Sequence, residues 1–331
     1  MFYLYRSKII GSEMKKIIFD TDPGIDDAMA LLFAHACKDI EVVGITTTFG
    51  NASIENTTHN ALYLKQKFGM SAEVAKGVNI PLDQVKTEPA TLVHGENGLG
   101  NIEIPKVINT QISPLIAHDY LIETIKNQPG EITLVAVGRL TNLALAIQKS
   151  PEICGLVKEV IIMGGAFGHN GHTGNLTPFA EANVYGDPLA ADIVINADWP
   201  VTMIGLDVTQ QTFMSNAYLE IMRTSSVKYG QFIYDITRFY ANFYNDDLGL
   251  DGFYVHDSSA IMYLVAPEIF TTTQGRIRVI TDGPAKGHTL FKSSDRVFPI
   301  DEWATRPKQT IAINVEPQAF NQRYFDTICS T

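Results

Sequence analysis

Residues 16–36, Lys-Ile-Ile-Phe-Asp-Thr-Asp-Pro-Gly-Ile-Asp-Asp-Ala-Met-Ala-Leu-Leu-Phe-Ala-His-Ala, constrain this chain more than any other stretch. Ile17, Ile18 and Phe19 form a short apolar run of the kind a buried parallel strand shows, and Pro23-Gly24 marks a turn. Beyond it, Ile25, Ala28, Met29 and Leu32 recur at the spacing of one helical face, with the polar groups gathered at the helix start. The unit is strand, turn, helix. Four carboxylates, Asp20, Asp22, Asp26 and Asp27, fall within eight residues of it. A helix N-terminus stabilises a nearby carboxylate by only about 0.3–1 kcal/mol, and like charges this close raise one another's pKa values unless a cation intervenes. A hard divalent ion held by oxygens would resolve that conflict. The simpler reading is that Asp26 and Asp27 only decorate the helix start.

Strand and helix keep alternating after this unit. Residues 40–48 are rich in β-branched side chains and end at Phe49-Gly50-Asn51, which makes Asn51 either a ligand-facing amide or a turn residue. Helical spacing covers 54–68, a short strand 72–75, a helix 115–126 and a strand 131–137. Gly138-Arg139-Leu140-Thr141-Asn142 then leads into a helix through Gln148, and a strand over 157–163 closes in Gly164-Gly165. A helix starts near Asp187-Pro188 and a strand covers 201–206. The aromatic-rich segment 229–244 is helical, with Tyr240 and Tyr244 one turn apart. Residues 276–281 and 310–315 read as a peripheral strand pair and 317–329 as a closing helix. The alternation predicts an α/β fold with an open, mostly parallel sheet flanked by helices. Ligands of such sheets sit at the carboxyl ends of the strands, which gathers Asp20 to Asp27, Asn51, Val137 and Met163 on one edge.

Two long loops interrupt the rhythm, at 76–113 and 166–178, and loops of that length often bind or cover ligands. The first carries His94, read as a ligand contact or as a solvated histidine. In the second, His169 and His172 lack the partners a zinc site needs. Val255-His256-Asp257 opens an apolar helix, where Asp257 either caps it or belongs to a site and His256 beside it makes a proton-transfer pair.

With 331 residues, 45% of them hydrophobic, the chain can bury a substantial core. A net charge of −11 argues against a nucleic-acid-binding surface. Cys37, Cys154 and Cys329 are widely spaced, so neither a disulfide framework nor a zinc site is indicated. No apolar run reaches the length of about 18 residues that a membrane span needs, and no signal peptide is evident, so a cytoplasmic address is expected. Residues 1–13 read as a poorly ordered N-terminal extension and 14–331 as a single domain. The first turn lacks the Gly-x-Gly-x-x-Gly fingerprint of dinucleotide binding.

The acidic turn Asp-Thr-Asp-Pro-Gly-Ile-Asp-Asp-Ala, Thr-Thr-Phe-Gly-Asn at 47–51, His-Gly-Glu-Asn-Gly at 94–98, Leu-Thr-Asn at 140–142, Met-Gly-Gly at 163–165, Glu-Ala-Asn at 181–183 with Asp187-Pro188, and Val-His-Asp at 255–257 occur in that order. In this the chain resembles the inosine-uridine preferring nucleoside hydrolases, from about Met14 to the C-terminus. The resemblance implies the nucleoside hydrolase fold, with its Rossmann-like core, and a calcium-dependent enzyme of nucleoside salvage that splits a ribonucleoside into base and ribose. Asp22, Asp27 and Asp257 would bind Ca²⁺ through carboxylates and Val137 through its main-chain carbonyl. Asp22 would also be the general base that activates a water held by the calcium. Asp26, Asn51, Asn183 and Asp257 would hold the ribose 2′ and 3′ hydroxyls, Asn175 and Glu181 would reach the 5′ hydroxyl, and Met163 would line the pocket. His256 would act on the leaving base, with Tyr240, Tyr244 and His94 close by, while Asp20 would support the cluster from behind. The family's dimers and tetramers imply a homo-oligomer.

Two departures from the family pattern stand out. Arg139 replaces a small residue or proline before Leu-Thr-Asn, and Ala182 replaces the commoner Phe. The second would open the pocket, so a modified nucleoside is an alternative substrate, and a weakly catalytic nucleoside-binding protein of the same fold is a further alternative. Phe-Asp-Thr-Asp also resembles the nucleophile loop of haloacid-dehalogenase-type phosphatases, but Gly24 stands where that chemistry needs Thr or Val.

Overall fold

The computed structural model describes residues 14–330, so the extension expected over residues 1–13 lies outside the described residues. The first unit forms as strand β1 (Lys15–Thr21) and helix α1 (Ile25–Ala36). The chain continues through β2 (Ile40–Thr47), helix α2 (Ile54–Phe68), β3 (Glu73–Lys76), β4 (Ile132–Ala136), β5 (Glu159–Met163) and β6 (Val201–Ile204). β7 (Phe213–Ser215), β8 (Gly252–Tyr254), β9 (Phe270–Val279), β10 (Thr289–Lys292) and β11 (Gln309–Val315) follow. Among the described residues, the main sheet has the order β10-β9-β11-β6-β5-β4-β1-β2-β3, and β7 and β8 form a separate antiparallel pair. Pairing is parallel from β3 through to β11 and antiparallel where β9 joins β11 and β10.

β1 is central because both faces and both edges are used. Ile17 and Phe19 pack into one core with α1, while Ile18 points to the other core with Tyr120, Leu134 and Ala144. This period-two division explains a run with no polar break, since a parallel strand covered on both faces has no solvent side. From β1 the chain moves to β2 on one side and returns at β4 on the other, so a switch point lies at the carboxyl end of β1.

α1 departs from its amphipathic pattern. Every residue except His35 is buried, Asp26 and Asp27 included, because helices 258–265 and 317–329 cover it. The expected pair at the C-terminal end is β9 and β11, with β9 starting six residues earlier than the pattern suggested; β10, β7 and β8 were not foreseen. The loop 76–113 contains one helical turn, Thr91–His94. Among the described residues no helix is long and apolar enough to cross a membrane.

Leu32, with no exposed surface, sits in the core that seats the acidic turn. Leu32→Ala is expected to cost about 2–5 kcal/mol, measured by urea denaturation; a loss under about 0.5 kcal/mol, the scale of surface changes, would contradict this packing.

Candidate active site

Asp27 organises the turn. Its Oδ1 accepts from the Thr21 hydroxyl (2.5 Å) and the Asp22 amide (3.1 Å), and its Oδ2 from the Gly24 amide (2.9 Å) and the Asn51 side chain (2.7 Å). These bonds tie the end of β1, the helix start and the loop after β2 to one carboxylate. Asp20 accepts from the Thr46 hydroxyl (2.6 Å) and Asn142 Nδ2 (2.9 Å), and burial pushes its carboxyl up to about 7. Asp22 Oδ2 accepts the Asn51 amide (2.8 Å). Its carboxylate fits only because two glycines flank it: a Cβ at Gly50 would lie 2.0 Å from Oδ2, and one at Gly138 2.5 Å from Oδ1.

Asp257 adopts the N-terminal position of helix 258–265 without making a side-chain cap. Its carboxylate instead joins Asp26 and Asp27, with one oxygen from each within 4.8 Å of the others. Asp22 stands beside that group rather than in it, turned by its bond to Asn51. All four are buried. Burial pushes their carboxyls up, and neighbouring carboxylates push Asp22, Asp26 and Asp257 further in the same direction. Asp22 Oδ1 and Asp26 Oδ1 are buried with no hydrogen-bond partner. Clustered buried carboxylates with oxygens left unpartnered are a set that a hard divalent cation satisfies, so these residues fit a metal ion.

Above the cluster lies a cavity of about 360 Å³, within the range of small-molecule sites. Asp26, Asn51, Val137, Asn183 and Asp257 line its floor side, and Met163, Asn175 and Glu181 also line it. Asn183 Nδ2 donates to the Val137 carbonyl (2.7 Å). The Glu181 carboxylate accepts backbone amides of Gly165, Asn183 and Val184, which fixes the short helix 182–186. Asn175 is exposed at the rim, its Oδ1 accepting the Ala182 amide (3.0 Å).

His94, Tyr240, Tyr244 and His256 line the opposite wall. His94 is buried rather than solvated, stacks on Tyr240 at 5.6 Å, and its Nδ1 accepts the Ile25 amide (3.2 Å). His256 is held at both ring nitrogens, Nδ1 by the Thr209 hydroxyl (2.8 Å) and Nε2 by the Tyr244 hydroxyl (2.9 Å). Burial pushes the imidazolium pKa down to about 4 for His256 and about 3 for His94, so both are neutral at pH 7.

Of the expected residues, Asp20, Asp22 and Asp27 do not line the cavity, the first in keeping with its expected place behind the cluster. His169 and His172 are not in its wall; their loop is tethered by Asp207, which accepts the Phe167 and His169 amides. Thr209, Gln210, Leu176, Phe243 and Tyr254 were not anticipated. Gln210, Leu176, Phe243 and Tyr254 line the cavity, and Thr209 holds His256. None of them sits in a spaced motif, although Phe243 lies in the aromatic-rich stretch 229–244.

A mostly parallel α/β sheet with an acidic pocket at the carboxyl ends of its strands defines a small-molecule-binding α/β protein. Residues 17–322 match the model of the inosine-uridine preferring nucleoside hydrolases, and the chain belongs to that family. It is therefore an enzyme that hydrolyses the N-glycosidic bond of ribonucleosides. It is 40% identical to a probable uridine nucleosidase 1 of Oryza sativa subsp. japonica, over 83% of this chain and 84% of that one. A solved plant nucleoside hydrolase superposes with a TM-score of 0.92 at 36% identity, over 96% of this chain and 100% of that one. A purine-preferring ribonucleoside hydrolase from Gardnerella vaginalis gives a TM-score of 0.87 at 32% identity, over 96% of this chain and 98% of that one.

Because the folded carboxyls titrate above their unfolded value near 3.8, their contribution to stability is complete below that pH and is lost as pH rises through the folded values. The metal-stripped protein is thus expected to lose thermal stability as pH rises from about 5 to about 8, and added calcium should suppress the fall. A melting temperature in chelator that is flat or rising across this window would contradict it.

Proposed function

We propose that this enzyme is a calcium-dependent ribonucleoside hydrolase with Asp22 as general base. The observation that carries the reading is the pair of unpartnered, buried oxygens, Asp22 Oδ1 and Asp26 Oδ1, beside the Asp26, Asp27 and Asp257 group at the floor of the cavity. Asp22, Asp27, Asp257 and the Val137 carbonyl would hold the ion. A Ca²⁺ bound there would lower the pKa of a water molecule and align the ribose diol.

Asp26, Asn51, Asn183 and Asp257 then bind the ribose 2′ and 3′ hydroxyls, Asn175 and Glu181 bind the 5′ hydroxyl, and Met163 walls the sugar. Asp22 takes a proton from the attacking water as its oxygen bonds to C1′. The C1′–N bond breaks, and the electron pair leaves with the base. Positive charge that develops on the ribose ring is stabilised by the carboxylates beneath it.

The leaving base needs a proton or a hydrogen bond. With both ring nitrogens of His256 occupied, the Tyr244 hydroxyl is the donor that the wall presents for a hydrogen bond to the leaving base, and His256, held in turn by Thr209, orients it. Tyr240, 3.5 Å from Tyr244 between hydroxyls, and His94 close the base side. Ala182 in the cavity wall leaves room that a phenylalanine would fill, which supports a second reading in which the preferred nucleoside carries a modified base.

Ribose release should be measured on inosine, guanosine, adenosine, uridine, cytidine and their 2′-deoxy counterparts, with calcium supplied and then chelated. Calcium-dependent release from ribonucleosides alone is expected; equal turnover in chelator, or of deoxynucleosides, would overturn the reading. Asp22→Asn should lower kcat by roughly 100-fold to 10,000-fold, and retention of near wild-type kcat would remove Asp22 from the base role. His256→Ala and Tyr244→Phe should each slow inosine more than uridine, and equal losses on the two would count against a hydrogen bond to the leaving base.

A further inference from the structure

Arg139 is 8% exposed, and its guanidinium lies 4.6 Å over the Phe49 ring. Its Nη1 is buried without a hydrogen-bond partner, and no hydrogen bond or ion pair among the described residues reaches the guanidinium. The carboxylates that feel its field are committed elsewhere. Asp187 accepts from the Leu82 and Ala190 amides and the Thr141 hydroxyl, Glu181 from three amides, and Asp22 Oδ2 from Asn51, while Asp22 Oδ1, which has no donor, makes no hydrogen bond or ion pair to Arg139. A buried cation with its donors unspent is costly unless something else accepts them.

Arg139 lines a second cavity of about 240 Å³, separate from the main one. Gly50 divides the two sites: a Cβ there would lie 2.0 Å from Asp22 Oδ2 and 3.4 Å from Arg139 Nε. The same cavity is lined by Thr87, whose Oγ1 is buried and also has no partner, by Lys86, and by Ser53, Ile54 and Glu55 at the start of the 15-residue helix α2. Ser53 caps the Asn56 amide and the Glu55 carboxylate accepts its own amide, which leaves the Ile54 N–H as the donor of that turn without an intrahelical partner. Glu55 is paired with Lys76 at 3.2 Å, and Glu88 is exposed.

We propose that this cavity binds a small oxyanion of the phosphate or sulfate class, with the Arg139 guanidinium, the Thr87 hydroxyl and the Ile54 amide at the start of α2 as its donors. A planar fork of N–H groups, a hydroxyl and a helix N-terminus together match such an ion's several acceptor oxygens. The bound ion would face Arg139 across Gly50 from Asp22. The site does not depend on which nucleoside the main cavity accepts, and its test reads ion binding rather than turnover.

Sulfate is the probe, titrated into the full-length, calcium-supplemented protein at ionic strength held constant with sodium chloride, with melting temperature and calorimetry as readouts. Saturable binding is expected in the wild type. Arg139→Met should weaken it about tenfold or more, and Thr87→Val, a loop change with little bearing on folding, should weaken it several-fold. A melting temperature that rises only linearly with sulfate would reflect general exclusion of the salt from protein surface and overturn the proposal. So would saturable binding undiminished in Thr87→Val, or binding displaced by ribose, which would put the ion in the main cavity.

Discussion

The structure depends on holding several carboxylates out of water at one point. At an effective dielectric near 20, two unit charges about 4 Å apart repel by about 4 kcal/mol, and Asp26, Asp27 and Asp257 bring oxygens within 4.8 Å of one another with Asp22 adjoining. The protein answers in two ways. Donors are directed at the carboxylates, with Asp27 accepting from Thr21, Asp22, Gly24 and Asn51. The oxygens left without donors, on Asp22 and Asp26, point to a cation as the remaining partner.

The fold serves this cluster through covering and connection. β1 is covered on both faces and paired on both edges, so its last residues are fixed from every side. The carboxyl ends of β2, β4 and β5 and the loops that follow them bring Asn51, Val137 and Met163 to the same edge because the strands run parallel. The helix 230–248 supplies Tyr240 and Tyr244 from the other side, one helical turn apart, and closes the cavity against His94 and His256. Acid floor and aromatic wall thus come from distant parts of the chain, and the space between them is sized for a small molecule.

Local patterns made much of this legible in the sequence. The acidic turn announces itself because its carboxylates are neighbours in the chain, and α2 runs over 54–68 as its periodicity and its Ser53 and Gly69 ends dictate. What the sequence hid depends on tertiary contact. Asp257 could have been a cap, and only the packing of helix 258–265 against α1 turns its carboxylate into the cluster. Thr209 sits 47 residues from His256, in a short helical turn with no motif, yet it holds the imidazole. Arg139 was visible as a departure from the family pattern, while its burial against Phe49 was not. Strands β7, β8 and β10 are three or four residues long, too short for alternation to register.

The central claim is that the buried carboxylates are built around a divalent cation. Its most direct test is calorimetric titration of calcium into the metal-free protein near pH 6.5, repeated in buffers of different ionisation enthalpy. Carboxyls held above their usual range must shed protons when a cation takes their place, so the account predicts saturable binding of one ion with net proton release, lost in Asp27→Asn. Absence of binding, or binding without proton release that persists in Asp27→Asn, would contradict it.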